Sequence, residues 1–232
     1  MNAIEFKGVT KRFGDVAVLD NLSFSVRKGE IFVIIGPSGT GKSVTLKHAV
    51  GLIEPDEGTI DIHSDRIGYL FQSGALLAWK TIYENVALPL EENTDLKEEA
   101  IEAKVMEALR AVGLEEDAEK YPSEISGGMQ KRAGLARVLV CEAEIILYDE
   151  PTSGLDPVTA EHISRLIRDI SRTRGVTSVL VTHDLLSAMK LADRIMLINH
   201  GRCVLCATSE AFAQSNDPEV REFLTAIKGE GL

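Results

Sequence analysis

The run Gly36-Pro37-Ser38-Gly39-Thr40-Gly41-Lys42-Ser43 constrains this chain more than any other stretch, because of what flanks it. Before it stands IFVIIG, a continuous apolar run of the kind that forms a strand buried on both faces of a parallel sheet. After Gly41 the pattern is helical as far as Gly51. A glycine-rich turn from a buried strand into a helix lets successive backbone N–H groups converge as an anion nest, and the helix start adds its positive end. The spacing G-x-x-x-x-G-K-[ST] suits the phosphates of a nucleotide, with Lys42 reaching the β- and γ-phosphates and Ser43 holding Mg²⁺.

A second apolar run, EIILYDE, delivers Asp149 and Glu150 to the C-terminal end of its strand, the edge at which α/β sheets bind ligands. Two adjacent carboxylates there repel unless a cation sits between them. Asp149 then supports the Mg²⁺ shell, and Glu150 orients and polarises the attacking water as general base. His183 closes a third apolar strand, TSVLVTHD, at the same kind of edge, the place for a γ-phosphate sensor. Gln72 follows IGYLFQ, from where its amide reaches Mg²⁺ or the water; alone this is a weak signal. His48, His63, His162 and His200 have no such placement and read as structural.

Strands alternating with helices make this an α/β fold with a mainly parallel sheet. The first thirty residues read as short strands, and TIDIHSDRIGYLFQ as strand-like alternation. Helix formers dominate from residue 83, marking a helical subdomain inserted at about 83–140, whose acidic clusters read as a solvated face. A helix from Pro157 to Thr173, a strand pair at RIMLINHGRCVLCA and a polar, helical tail over 209–232 with a loose end complete a single domain, 1–232. With 25 Lys+Arg against 36 Asp+Glu, the net charge of −11 lacks the basic footprint of a nucleic-acid binder. No run approaches the roughly 18 apolar residues of a membrane span, and the N-terminus lacks the pattern of a secretory signal. Three Cys fit a reducing cytoplasm rather than a disulfide framework. Cys203 and Cys206, in the strand CVLCA, fall on opposite faces by strict alternation and read as apolar fillers rather than a metal or redox pair.

Ser126-Gly127-Gly128 leads into the helix MQKRAGLARVLV. It is either a plain capped helix start or a second anion nest, one that serves a neighbouring copy of the chain.

In that order, the phosphate loop, Gln72, Ile125-Ser126-Gly127-Gly128-Met129, IILYDE, Ser153-Gly154-Leu155-Asp156 and His183 resemble the nucleotide-binding subunit of an ABC transporter over essentially the whole chain. The resemblance implies an ABC ATPase of the P-loop NTPase fold, with an N-terminal antiparallel β subdomain beside the core sheet. It also implies a head-to-tail dimer holding two ATP molecules, each between Gly36–Val44 of one copy and Ser126, Gly127 and Gly128 of the other, with Asp156 at the seam. Phe13 matches the aromatic that stacks on adenine, the alternative being a core residue near a strand end. Met129 stands where the family most often has Gln, and Val44 where a Thr is common, so two side-chain contacts are absent while Lys42, Glu150 and His183 remain. Within the family, FQSGALLAWKTIYENVALPL, SGGMQKR and DPEVREFLTAIKG are similar to the Mla (maintenance of lipid asymmetry) ATPases, which serve permeases partnered by MCE-domain lipid-binding proteins. That similarity implies a peripheral subunit at the cytoplasmic side of the inner (plasma) membrane, with a groove near Gln72 and Trp79 for the permease. Leu76, Leu77, Trp79 and Ile82 either form that partner surface or pack under the helical subdomain. Trp79 stands where a smaller residue is expected.

Overall fold

A computed structural model describes residues 1–229 of the chain, with side chains described as far as residue 225. The loose end expected of the tail falls at 230–232, outside the described residues. The chain forms two compact units, Met1–Asp65 with Arg168–Leu232, and Arg66–Ile167.

In the first unit, β1 (Asn2–Phe13) and β2 (Val16–Arg27) pair antiparallel, and β4 (Glu57–Ile62) joins the other edge of β1. Instead of short strands, the first thirty residues hold two of 12 residues each, because irregularities in their register let the polar residues of KGVTKR be accommodated without ending the pairing. Beside this sheet, β3 (Ile31–Ile35) lies between β7 (Thr177–Thr182) and β8 (Arg194–Asn199), parallel to both. All five residues of β3 are 0% exposed, as a strand covered on both faces must be. Phe6, Phe24 and Phe32 stack with centroids 4.5 and 5.5 Å apart, joining the antiparallel sheet to β3. The helices α1 (Lys42–Ala49), α6 (Leu185–Leu191), α7 (Ser209–Ala213) and α8 (Pro218–Gly229) belong to this unit.

The final strand β9 (Arg202–Thr208) pairs antiparallel with β8, and here strict alternation fails. Leu197 lies opposite Leu205, but Ile198 lies opposite Cys203, so Val204 is an extra residue in a bulge. Cys206 lies opposite Met196 and Cys203 opposite Ile198; Met196 and Ile198 are two apart on an uninterrupted strand, so both cysteines share one face. Burial, with Cys206 nearby, pushes the Cys203 thiol up to about 11. Both thiols are thereby kept protonated and unreactive at neutral pH.

In the second unit, β5 (Ile67–Leu70) and β6 (Ile145–Asp149) pair in parallel. The alternating run TIDIHSDRIGYLFQ supplies the end of β4 and all of β5, with the polar residues 63–66 between them. The helices are α2 (Ile82–Asn93), α3 (Glu98–Ala111) and α4 (Gly127–Leu139), followed by α5 (Pro157–Arg174), inside which the unit boundary falls. A reciprocal capping box, Thr81 with Glu84, starts α2. Ile101, Val105 and Leu109 recur every fourth residue to form the buried face of α3, while residues 91–99 are exposed.

Candidate functional site

The strand register of the first unit brings its phosphate-directed residues together. Ile35 lies beside Thr182, so the Gly36 loop and His183 leave neighbouring parallel strands at the same edge. Gly36 is fixed by space: a Cβ there would stand 2.2 Å from the carbonyl oxygen of Ile198. Gly41 occupies the N-cap of α1 with φ 98°, a left-handed conformation that L side chains resist, and no side chain caps the helix. Pro37, Ser38 and Gly39 are exposed, Thr40 is half-buried, and its Oγ1 donates to the Pro37 carbonyl. Lys42, only 7% exposed, folds back so that its Nζ donates to the carbonyls of Gly36 and Pro37 at 2.8 and 2.9 Å. Its charge is thus held over the loop concavity. Ser43 and Val44 lie half-buried in the first turn of α1. Phe13, at the end of β1, is 50% exposed with the Lys11 ammonium 5.8 Å from its ring centre. It is a surface aromatic and not a core residue.

The second unit gathers the other group by the same device. Leu70 lies beside Tyr148 in parallel register, so Gln72 and Glu150 leave neighbouring strands at one edge. Asp149 and Glu150 are half-buried. The Tyr69 hydroxyl donates to Asp149 Oδ2 at 2.9 Å, and burial followed by the Asp149 charge drives the Tyr69 pKa well above its ordinary value. Tyr69 therefore stays a donor and fixes one oxygen of the Asp149 carboxylate. Glu150 has φ 49°, a costly conformation for a long side chain. The turn after it is closed by Ser153, whose backbone N–H and Oγ both donate to the Glu150 carbonyl. Gln72 Nε2 donates to Ser153 Oγ at 3.1 Å, so its Oε1 is the atom left for a metal or water. From α4, Lys131 Nζ donates to the carbonyl of Ser153 at 2.6 Å and contacts Ser153 Oγ and the Glu150 carbonyl at 3.4 Å each. Tyr69 stands in no motif, and although Ser153 and Lys131 lie within the runs Ser153–Asp156 and SGGMQKR, only pairing across the unit reveals these contacts.

At the start of α4, Ser126 accepts from the Met129 N–H as an N-cap, so the plain capped helix is present. The two glycines behind it differ. A Cβ on Gly128 would lie 2.5 Å from Thr159 Cγ2, so this glycine is required by packing on α5. A Cβ on Gly127 would meet nothing within 4 Å, and Ser126 and Gly127 are exposed. Asp156 is exposed and caps α5, accepting from the Val158 and Thr159 N–H groups at 3.0 Å; hydrogen bonding to Thr159 holds its carboxyl below the usual range.

The apolar group after Gln72 divides. Ile82 is 0% exposed and belongs to the core, Leu76 and Leu77 are half-buried, and Trp79 is 73% exposed. Asn85, itself fully buried, holds this loop: its Oδ1 accepts from the Leu77 N–H at 2.7 Å and its Nδ2 faces the carbonyls of Leu77, Lys80 and Thr81. Trp79 is therefore presented outward on a fixed backbone.

Comparison with known proteins agrees with this geometry. Residues 19–153 match the family described as ABC transporter. In an alignment of 237 positions that covers 96% of the chain, the sequence is 44% identical to a Mycobacterium leprae protein named as a probable ribonucleotide transport ATP-binding protein, Mkl, of whose length it covers 68%. In one of 241 positions, covering 97% of the chain and 90% of the relative, it is 36% identical to MlaF of Escherichia coli K12, named as an intermembrane phospholipid transport system ATP-binding protein. Among solved structures, a dimeric ATP-binding cassette in a post-hydrolysis state with ADP and Pi superposes with a TM-score of 0.80 and 32% identity, covering 89% of this chain and 98% of that one. The match over residues 19–153 and these identities show that the chain belongs to the ABC transporter family, as an ATP-hydrolysing cassette of it.

Proposed function

We propose that this cassette is the motor subunit of a membrane complex that moves phospholipid or a related lipid. The observation that carries the reading is the identity to MlaF across nearly the full length of both chains, reaching into segments outside every nucleotide motif. ATP binds with its phosphates on the N–H groups of Gly36–Val44 and Lys42, and with its adenine on Phe13. Mg²⁺ suits the hard oxygen donors Ser43, Gln72 Oε1 and Asp149, and when bound it neutralises charge on the transferred phosphate. Glu150 accepts a proton from the attacking water, and His183 hydrogen-bonds the γ-phosphate. Two copies close head to tail, each offering Ser126, Gly127 and Gly128 to the nucleotide of the other, with Asp156 near the seam. The groove near Gln72 and Trp79 receives a permease, and an MCE-domain lipid-binding protein completes the complex at the cytoplasmic side of the inner membrane. Among the described residues no helix is long and apolar enough to cross a membrane.

The name of Mkl favours a second reading, the same ATPase serving another solute. Affinity purification from native membranes in mild detergent, with mass spectrometry of retained proteins and lipids, separates the two. A polytopic permease with an MCE-domain protein and bound phospholipid supports the first. A permease with a different extracytoplasmic partner keeps the ATPase and discards the lipid.

A further inference from the structure

Lys131 is 7% exposed on a helix whose neighbouring positions bury apolar side chains, a place where a Met would fill the same space without an ammonium to desolvate. An ammonium carries three N–H donors and no acceptor, and Lys131 meets three oxygens, all on the turn that follows Glu150. That turn holds Glu150 at φ 49°, a conformation that persists only where its surroundings over-determine it. The same helix begins at Ser126, about 7.5 Å of helix rise before Lys131. One rigid element therefore joins the Ser126–Gly128 nest to the backbone of Glu150.

Resting on the proposed roles of Glu150 and of the Ser126 nest, we propose that Lys131 is a positioning residue that transmits contact between α4 and the nucleotide of a second copy to the general base of its own chain. The buried cation grips the Glu150–Ser153 turn, so displacement of α4 on dimer closure moves the carboxylate into line with the water. Each of the two ATP sites thereby senses the other through Lys131.

The test is steady-state ATP hydrolysis by the full-length chain as a function of ATP, with ATP affinity and thermal midpoint measured alongside, for wild type, Lys131→Met and Lys131→Arg. Lys131→Met is expected to lower kcat about 10- to 100-fold, the range for loss of a hydrogen bond to a charged group. KM for ATP stays within about twofold, and the Hill coefficient falls from above 1 to 1. Lys131→Arg keeps the charge and restores most of kcat. A kcat for the Met variant near wild type, an Arg variant as impaired as the Met variant, or a wild-type Hill coefficient of 1 overturns the relay. Should the Met variant fail to fold, Ser153→Ala removes the hydroxyl that meets Lys131, Gln72 and the Glu150 carbonyl, and is expected to lower kcat with KM unchanged; an unchanged kcat there also overturns it. Glu150→Gln, assayed separately, tests the general base itself. If it turns over like wild type, the underlying reading fails whatever Lys131 does.

Discussion

Two helices of this chain begin at exposed, glycine-bearing turns, yet they are finished differently. Helix α1 starts at Gly41 with no side-chain cap, and Lys42 folds back over the loop before it. Helix α4 starts at Ser126, which caps it, and one of its two glycines is already spent on packing against Thr159. In the proposed reading a phosphate completes the first start. The second already has a side-chain cap and keeps an open side at Gly127. That contrast fits a nucleotide gripped by its own chain at α1 and touched from across a dimer at α4.

The sharpest break in this comparison is Lys42→Met. It should weaken ATP binding and lower turnover by about 10³-fold, since electrostatic stabilisation of the transferred phosphate is lost, whereas a variant that keeps turnover removes α1 from the phosphate site. Next come the two glycines of α4. Gly127→Ala is expected to fold with an unchanged thermal midpoint and lose about tenfold or more in turnover, because the new methyl blocks close approach of a partner's phosphate. Gly128→Ala should instead lower the midpoint, by about 2–4 °C for each kcal/mol of packing lost. If both variants lost stability alike, the distinction between the two glycines would fall. A double substitution leaves the nucleotide chemistry alone: Trp79→Ser with Leu77→Ser should cut permease binding, as read by co-purification with the membrane subunits, while basal ATP hydrolysis stays within about twofold.

The smallest effect concerns His48, on α1 behind the loop. Its Nδ1 bonds the Val44 carbonyl at 2.7 Å while Nε2 is buried without a partner, and burial lowers its pKa. The folded protein therefore holds His48 neutral where the unfolded chain protonates it. This contribution is fully present above the unfolded value near 6.5 and is lost as pH falls through the folded one. Melting curves of His48→Leu should be flatter than wild type across that acidic window; parallel curves would show that His48 does not titrate between the states.

The sequence made the strand ends legible, because short local patterns determine them. A buried apolar run followed by Gly36 or by Asp149–Glu150 has few alternatives in an α/β fold, and parallel register then brings Gly36 beside His183 and Gln72 beside Glu150. What was not legible depends on long-range pairing. Tyr69 reaches Asp149 across 80 residues, and Lys131 reaches Ser153 across 22; the second pair stands in motifs, but neither motif announces the contact. The Cys203–Cys206 pair was placed on opposite faces because a single inserted residue, Val204, leaves no trace in an apolar run. The loop after Gln72 misled in part, since Ile82 and Trp79 are both apolar and only the cap at Thr81 separates core from surface.

The central claim is that Glu150 activates water for hydrolysis of an ATP shared by two copies. Glu150→Gln keeps the shape of the side chain and removes its basicity. Measured together, ATP binding, ATP turnover and sedimentation in ATP should show binding intact, turnover reduced by about 10²–10⁴-fold and a stable dimer that wild type does not accumulate. Turnover near the wild-type rate, with no ATP-dependent dimer, would contradict the account.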